Sequence, residues 1–356
     1  MRPEDLLGRE SVEFDEHQIS SALKGRNILV TGAGGSIGGE ICRQIARFNL
    51  GRLFLLGRGE NQIYEIEYQL KSVRSDLEVV PLIADIRDGA AMERLFKEVS
   101  PHFVYHAAAH KHVHYMEAFP VEAVKNNVFG TLNVIESARA AGVERVVMLS
   151  TDKAVSPRGV MGATKRIAEY LMISRTGGNG ESPRLMTVRF GNVLASRGSV
   201  VPLFIRQINA GGPVTVSHQD ATRFFMTMKE ACLLVVQASI MGKGGEVFIL
   251  QMGNPIRIIE IAKDLIALHG YRADGDIKID IVGLRPGEKL HEDLVVPGEE
   301  AVPSPHEHIL CSKGAVPDDV DLDSLLFELN ELTAAADEDG IRRCLARSIP
   351  DSEFFQ

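Results

Sequence analysis

Two short stretches of this chain carry side chains that can exchange protons. Ser150-Thr151-Asp152-Lys153-Ala154 places a carboxyl group beside an amine, and Met161-Gly162-Ala163-Thr164-Lys165 places a second lysine four residues after a methionine. Residues four apart share one face of a helix, so this methionine and this lysine would point the same way. Burial would push Asp152 and Lys153 towards their neutral forms, as acid and base, whereas their mutual attraction opposes it. Their charge states therefore stay open, and the alternative interpretation is a surface ion pair.

Alternating strand and helix patterns must position these residues. The pattern predicts strands over 27–30, 52–56, 78–83, 103–106, 145–149 and 184–190, and helices over 37–48, 61–73, 88–99, 117–141 and 160–174. Strands that alternate with helices are typical of the α/β class. We predict a Rossmann doubly wound parallel sheet, followed after Gly191 by a smaller C-terminal substrate-binding lobe.

Length and composition limit the function classes. The 356 residues fit one large α/β unit or two associated lobes. A net charge of −9 argues against nucleic-acid binding, which needs a basic face. The four cysteines are scattered without a CxxC motif, which is typical of a reducing cytoplasm. No apolar run reaches the ~20 residues of a membrane span, and the polar start lacks a signal-peptide core. We therefore expect a cytoplasmic chain without a membrane span.

A glycine-rich turn follows the first predicted strand and opens the first long helix. Its glycines at positions 32, 35 and 38 allow the backbone to approach a pyrophosphate at the helix N-terminus. The alternative is a glycine-rich turn that binds nothing. The residues assigned to the dinucleotide here are Gly32, Gly34, Gly35, Ser36, Ile37 and Gly38.

The end of the second predicted strand bears on cofactor choice. Gly57-Arg58-Gly59-Glu60-Asn61 lacks the carboxylate that would hold the ribose 2′-hydroxyl of NAD at the expected place. Arg58 could instead pair with a 2′-phosphate, which favours NADP over NAD, unless it points into water. Asp85 and Ile86 fit the adenine edge and face, and Ala107-Ala108-Ala109 would let the backbone lie against the cofactor.

Histidines and arginines supply the other candidate ligands. His110, His112 and His114 have no carboxylate partner, so we predict no metal site. Arginines are spaced among apolar runs in the second half, and fixed guanidinium forks suit phosphate oxygens. Glu288 could accept from ribose hydroxyls or pair with Lys289. The polar residues assigned to a diphosphate-bearing substrate in this half are Asn192, Arg197, Arg223, Arg257, Arg285 and Glu288.

Motifs in a fixed order give a specific resemblance over roughly residues 25 to 295. They are Thr31 to Gly38, His106 to Val113, Ser150 to Ala154, Gly162 to Lys165, Arg189 to Val193, Ser196 to Pro202, Thr222 to Met226 and Gly283 to Leu290. Together they resemble the polysaccharide-biosynthesis branch of the extended short-chain dehydrogenases/reductases, the UDP-N-acetylglucosamine 4,6-dehydratases and their relatives. Met161 stands where most such enzymes have a catalytic tyrosine, and this too resembles a subset of the family.

The resemblance implies a reaction and roles. Carbon 4 of the sugar is oxidised, the carbon 5 proton is removed, the carbon 6 hydroxyl leaves as water, and hydride returns to carbon 6. Thr151 would hydrogen-bond the carbon 4 oxygen, Lys153 would be the base, Asp152 the acid, and Lys165 would hold the nicotinamide ribose. The resemblance adds Lys111, Val201 and Pro202 to the substrate residues, and N-acetylglucosamine as the sugar rests on it alone. The alternatives are a UDP-sugar epimerase and a non-catalytic nucleotide-sugar or cofactor-binding protein.

Organisation and assembly complete the expectations. We predict an N-terminal segment over 1–24, a NAD(P)-binding Rossmann domain over 25–190, an interleaved nucleotide-sugar-binding lobe over 191–300 and a C-terminal tail over 301–356. The helices over 117–141 and 160–174 resemble a four-helix dimer interface, so we expect a homo-oligomer. Residues 2–9 resemble the segment that joins membrane spans to the cytoplasmic domain in long family members, so the chain is either a short homologue or the soluble piece of a membrane-anchored protein.

Overall fold

A parallel sheet with helices on both faces forms the centre of the computed structural model, which describes residue 12 and residues 14–177, 183–194 and 196–354. The segment 2–9 lies outside these described residues. In chain order the strands are β1 (Ile28–Thr31), β2 (Arg52–Gly57), β3 (Glu78–Ile83), β4 (Phe103–His106), β5 (Arg145–Leu149), β6 (Arg184–Arg189), β7 (Asn192–Val193), β8 (Val214–Val216), β9 (Thr222–Arg223), β10 (Phe225–Met226), β11 (Val247–Leu250), β12 (Ile256–Arg257), β13 (Ile279–Ile281), β14 (Val302–Pro303) and β15 (Ile309–Ser312).

Thirteen α-helices accompany these strands in the described part of the chain. They are α1 (Glu16–Leu23), α2 (Ser36–Ile45), α3 (Glu60–Val73), α4 (Gly89–Val99), α5 (Val113–Ala118), α6 (Pro120–Ala123), α7 (Gly130–Ala140), α8 (Val160–Ser174), α9 (Val200–Asn209), α10 (Met228–Met241), α11 (Ile258–Leu268), α12 (Leu322–Ala334) and α13 (Glu338–Arg347). A π-helical segment over Val124–Phe129 joins α6 to α7, and a 3₁₀ turn over Asp152–Ala154 follows β5.

The main sheet has the strand order β14-β15-β11-β6-β5-β4-β1-β2-β3. Strands β1 to β6 and β11 run parallel, whereas β15 pairs antiparallel with β11 and β14 antiparallel with β15. All four residues of β1 are buried, as expected for a central strand covered on both faces. This confirms the predicted α/β class and the parallel doubly wound sheet. Strands β14 and β15 come from the region predicted as a tail and extend this sheet.

Two cores lie on opposite faces of the sheet. One packs α1, α2, α3 and α10 against it, and the other packs α4, α7, α8, α12 and α13. A third core joins α9, β8 and α11 in the smaller lobe. The chain reaches this lobe directly after β6, so the carboxyl ends of the parallel strands face it, which is where ligands bind in open α/β sheets.

The predicted helix over 117–141 begins three residues later than expected, but from Pro120 to Ala140 the chain is helical without interruption through α6, the π-helical segment and α7. Helix α5 ends at Ala118, Phe119 has a non-helical φ of −135°, and Pro120 opens α6. Proline fits the first turn of a helix but cannot continue one, because it lacks an N–H group. In the π-helical segment that follows, Asn127 accepts from the His110 N–H at 2.8 Å and donates to the His110 carbonyl at 3.1 Å. It thereby fixes the loop after β4.

The C-terminal helices bear on the expected dimer interface. Residues Val160–Met172 of α8 are all buried within the single chain, and α13 packs against both α6 and α8. Helix α12 also contacts the π-helical segment. On α8, the surface that the predicted four-helix interface would use is therefore already covered within this chain. Among the described residues, no helix has the length and apolarity needed to cross a membrane.

Candidate active site

The glycine-rich turn connects β1 to α2 and leaves room for a close ligand. Gly32 has φ +67°, and a Cβ there would lie 2.8 Å from the Ala108 backbone. A Cβ at Gly38 would lie 2.3 Å from the Gly32 carbonyl oxygen. The N-cap of α2 is Gly35, which makes no side-chain capping hydrogen bond. The first N–H groups of this helix are therefore open to an anion, and these residues fit the pyrophosphate of a dinucleotide.

Arg58, at the edge where the sequence predicts the adenosine of a dinucleotide, is paired with a carboxylate. Arg58 lies 3.7 Å from Asp85, which also binds Arg87 at 2.7 Å. Burial opposes ionisation of Asp85, but its hydrogen bonds to Arg87 outweigh this and lower its pKa. Arg58 is therefore held at the edge of a cavity, beside a carboxylate rather than alone in water. The cavity is lined by Gly32, Gly35, Arg58, Asp85, Ile86, Ala107 and Ala108, among others.

Thr151, Met161 and Lys165 line one cavity at the carboxyl ends of β4, β5 and β6, as their spacing predicts. Ile37, Lys111, Lys153 and Asn192 also line it, and we name it the strand-end cavity. Burial lowers the pKa of Lys165 to about 8, although the charge of Glu169 opposes this shift. Met161 is buried and offers no group that titrates.

Asp152 and Lys153 form a pair in the 3₁₀ turn. Lys153 Nζ donates to Asp152 Oδ1 at 2.9 Å and to Asn192 Oδ1 at 3.3 Å, and the Thr151 hydroxyl donates to Asp152 Oδ1 at 2.8 Å. The Asp152 side chain is 0% exposed, so the surface ion-pair interpretation does not describe it. Burial alone would lower the pKa of Lys153, but the carboxylates of Asp152 and Glu292 outweigh it and raise that pKa.

Glu292 was missed in the sequence. Its side chain is 3% exposed, with Oε1 3.5 Å from Lys153 Nζ and 3.8 Å from Arg223 Nε. Burial raises the pKa of Glu292, and the nearby Asp152 charge raises it further, against the attraction of Lys153 and Arg223. It lies just beyond the Gly283 to Leu290 motif, and no spacing signal sets it apart from Asp293 next to it.

A second cavity, which we name the interlobe cavity, lies between the sheet and the smaller lobe. Its lining includes Lys111, His112, His114, Lys153, Asn192, Arg223, Arg285, Glu288 and Glu292. Arg223 is fixed in its wall because its guanidinium donates to the carbonyls of Thr222, Lys289 and Leu290 at 2.7–3.1 Å. Lys111, Lys153 and Asn192 line both cavities, so they lie at the junction between them.

Four residues assigned to the substrate do not line the interlobe cavity, namely Arg197, Val201, Pro202 and Arg257. Arg257 binds Asp220 at 2.8 Å on the surface of the smaller lobe. Val201 is buried in that lobe's core, with Pro202 half-buried beside it, while Val200 and Leu203 line the interlobe cavity. Val201 does not reach the cavity because it lies on the face of α9 that packs into the core. Helical periodicity alone does not show which face of α9 points to the core and which to the cavity.

Arg197 lies on the glycine-rich turn instead. Its N–H donates to Ser36 Oγ at 3.0 Å, and its guanidinium donates to the Gly34 carbonyl at 3.4 Å. Lys111 Nζ donates to the Arg197 carbonyl at 2.8 Å. The segment that carries Arg197 therefore links the cofactor turn to the loop after β4.

A buried ion network lies behind the 3₁₀ turn that carries Asp152 and Lys153. Glu169 of α8 accepts from Ser150 Oγ at 2.6 Å and from Arg189 at 2.8 Å, and Arg189 also binds Glu299 at 2.8 Å. Burial opposes ionisation of Glu169, but the charges of Arg189 and Arg166 outweigh it and lower its pKa to about 2. Ser150 is thereby held between β5 and α8, just before Thr151.

This sheet, its glycine-rich turn and the strand-end cavity define a Rossmann-type protein of the short-chain dehydrogenase/reductase class. The model of the polysaccharide biosynthesis protein family matches residues 28–313, and the chain belongs to that family. Both the resemblance noted in the sequence and the predicted fold class are confirmed.

Three similar proteins add detail. The capsular polysaccharide biosynthesis protein CapD of Staphylococcus aureus is 54% identical over 293 residues, which cover 82% of this chain and 49% of CapD. The UDP-glucose 4-epimerase of Rickettsia akari is 34% identical over 277 residues, 76% of this chain and 77% of the epimerase. The X-ray structure of Pen from Bacillus thuringiensis matches with a TM-score of 0.74 at 35% identity, covering 81% of this chain and 89% of that one. The chain thus spans about half the length of CapD.

Proposed function

We propose that the chain is a NAD(P)-dependent nucleotide-sugar 4,6-dehydratase that removes water from a UDP-N-acetylhexosamine, with UDP-N-acetylglucosamine as the first substrate to test. The product would be a UDP-4-keto-6-deoxy sugar for a surface polysaccharide or other glycan. The observation that carries the proposal is the Lys153–Asp152 pair, in which Lys153 lines both the strand-end and the interlobe cavity and the buried Asp152 lies directly behind it. Similarity to CapD supports the biosynthetic context.

The cofactor residues fit NAD or NADP. The turn at Gly32 to Gly38 would hold the pyrophosphate, and Lys165 the nicotinamide ribose. A nicotinamide cofactor supplies reversible two-electron chemistry when bound. Arg58 keeps its positive charge at this edge, because Asp85 binds Arg87 more closely than Arg58, so a 2′-phosphate could still pair with it and NADP stays the first cofactor to test.

The chain's own residues would supply the proton transfers. Thr151 would hydrogen-bond the carbon 4 oxygen of the sugar. With carbon 4 at the ketone level the carbon 5 proton is acidic, and neutral Lys153 would remove it. Asp152 would deliver a proton to the carbon 6 hydroxyl, which leaves as water. Met161 at the usual tyrosine position takes no part in proton transfer, since a thioether does not titrate.

The interlobe cavity would hold the nucleotide diphosphate. Arg223 and Arg285 would face its phosphates, because guanidinium groups suit phosphate oxygens. Glu288 would accept from ribose hydroxyls, and Lys111 and Asn192 would border the sugar. We expect the protein to act in the cytoplasm, as an assembly whose interface is not the covered α8 surface.

Incubation with UDP-N-acetylglucosamine, followed by mass spectrometry, tests the proposal. Loss of one water without added reductant supports it. A UDP-glucose 4-epimerase is the second candidate, favoured by the similarity to the Rickettsia akari protein. An epimerase inverts carbon 4 without loss of mass, and it needs no acid beside an amine at carbons 5 and 6. If neither product forms from any UDP-hexose, a non-catalytic binding protein becomes the better interpretation.

A further inference from the structure

Three ionisable side chains, those of Lys153, Asp152 and Glu292, lie close together beside the interlobe cavity. Lys153 Nζ lies 2.9 Å from Asp152 Oδ1 and 3.5 Å from Glu292 Oε1. The side chains of both acids are almost fully buried, at 0% and 3% exposed. Both carboxyl groups therefore lie beside one ammonium group in a site with little solvent, and Glu292 also lies 3.8 Å from Arg223 Nε.

Each acid also has one oxygen left over. Asp152 Oδ2 and Glu292 Oε2 are buried and make no hydrogen bond among the described residues. An ionised carboxylate with an unpaired buried oxygen is costly, whereas a protonated one carries no charge to compensate. Of the two, Asp152 has the closer contacts, because both Thr151 and Lys153 donate to it. The geometry therefore places the neutral acid at Glu292 more readily than at Asp152.

The dehydration proposed above needs neutral Lys153 and protonated Asp152. One proton transfer, from the Lys153 ammonium to the Asp152 carboxylate across their 2.9 Å hydrogen bond, forms both at once. The proton count does not change in this step, and two charges disappear from a buried site. An ionised Glu292 at 3.5 Å would oppose the transfer through its attraction for the Lys153 ammonium, and its weaker repulsion of the Asp152 carboxylate offsets only part of this.

We infer that Glu292 is a positioning residue for the proton of Lys153. Neutral Glu292 leaves Lys153 and Asp152 as an isolated pair within which one proton can pass, and ionised Glu292 holds Lys153 as an ammonium. This inference rests on the proposed dehydration, since it explains how that reaction obtains its base.

The surroundings of Glu292 are consistent with such a role. The charged groups near Glu292 are Lys153 and Asp152 from the turn after β5, Arg223 from β9, and Lys289 from the same loop as Glu292. Burial and Asp152 raise the pKa of Glu292, and they outweigh the three cations. The other titratable groups around the interlobe cavity are Lys111, His112, His114, Arg285 and Glu288.

The test compares pH profiles of Glu292→Gln, Glu292→Asp and the matched control Glu288→Gln, which changes another acid of the same cavity. The readout is exchange of the carbon 5 hydrogen of UDP-N-acetylglucosamine with deuterated water. In the wild type we expect the rate of exchange to decline at high pH as Glu292 ionises, and we call this decline the alkaline limb of the profile. Glu292→Gln should move this limb upward by about one pH unit or more, because the opposing charge is gone. Glu292→Asp should keep the limb, and Glu288→Gln should change KM without moving it.

Infrared difference spectra report the protonation state of Glu292 in the absence of turnover. We expect a protonated carboxylic acid band in the wild type above the ordinary pH range of glutamate, shifted in Glu292→Asp and absent in Glu292→Gln. An unmoved alkaline limb in folded Glu292→Gln, or a wild-type spectrum without this band, overturns the inference. If Glu292→Gln does not fold, the wild type and Glu292→Asp decide it. A wild type with the band but without loss of water from any UDP-hexose contradicts the proposed dehydration and leaves the neutral acid established.

Discussion

Lys153 Nζ lies 2.9 Å from Asp152 Oδ1, while Met161, at the position of the usual catalytic tyrosine, lines the same strand-end cavity as Lys153. An amine therefore lies next to an acid, and the residue at the tyrosine position is apolar. Under the proposed function, proton transfer in this cavity falls to residues of the turn after β5 rather than to the first turn of α8.

Lys153→Ala should reduce kcat far more than Met161→Ala. Removal of a general base typically costs about 10²–10⁴-fold, whereas loss of a buried methionine acts only through packing. The measurement is kcat with UDP-N-acetylglucosamine, with thermal unfolding as the control because a buried Met→Ala change costs about 2–5 kcal/mol. Equal losses in two folded variants would contradict the reassignment of the tyrosine's role.

Asp152→Asn should retain cofactor binding but stall elimination. The amide can still hydrogen-bond Thr151 or Lys153, but it cannot deliver a proton to the carbon 6 hydroxyl. We expect a loss of about 10²-fold or more in water release, with NAD(P) affinity measured by calorimetry close to that of the wild type. Water release at the wild-type rate would remove Asp152 from the role of acid.

Cofactor affinity should fall as pH rises through about 8, the pKa to which burial lowers Lys165. Below that pH the lysine is positive in the folded chain and attracts the anionic dinucleotide, and above it the charge is lost. Titration calorimetry at several pH values from 7 to 9.5 measures this. Lys165→Met should bind more weakly at pH 7 and show a flatter profile, and an equally steep profile in this variant would exclude Lys165 as the source.

Arg197→Gln should weaken cofactor binding about tenfold, the effect of one lost charge-assisted hydrogen bond, and leave UDP binding nearly unchanged. Arg197 contacts the Gly34 carbonyl and lies with Gly34, Gly35 and Ser36 around one cavity. Arg257→Gln is the matched control, since Arg257 pairs with Asp220 away from both ligand cavities. Fluorescence or calorimetric titrations with NAD(P) and with UDP distinguish the two sites. A loss of affinity for UDP alone would instead support the original assignment of Arg197 to substrate binding.

The sequence predicted the sheet and the cofactor turn because both depend on local patterns. Six predicted strands lie where the structure has β1 to β6, and the turn at Gly32 follows β1 as expected. The long helix after β4 was predicted, but the break at Phe119 and the π-helical segment within the helix were missed, because Pro120 was not read as a helix start and a π-helical segment has no simple period. Contacts between residues that are far apart in the sequence were harder to predict. Glu292 is 139 positions from Lys153, and only the packing of β9 and its neighbouring loop brings it into contact.

The most direct test of the proposed reaction is mass spectrometry of UDP-N-acetylglucosamine incubated with the protein in deuterated water. We predict a product that has lost one water and carries one solvent deuterium at carbon 5, with no reductant consumed and no such product from Lys153→Met. A substrate of unchanged composition that is inverted at carbon 4, or loss of water with the original carbon 5 hydrogen retained, would contradict proton transfer by the Lys153–Asp152 pair.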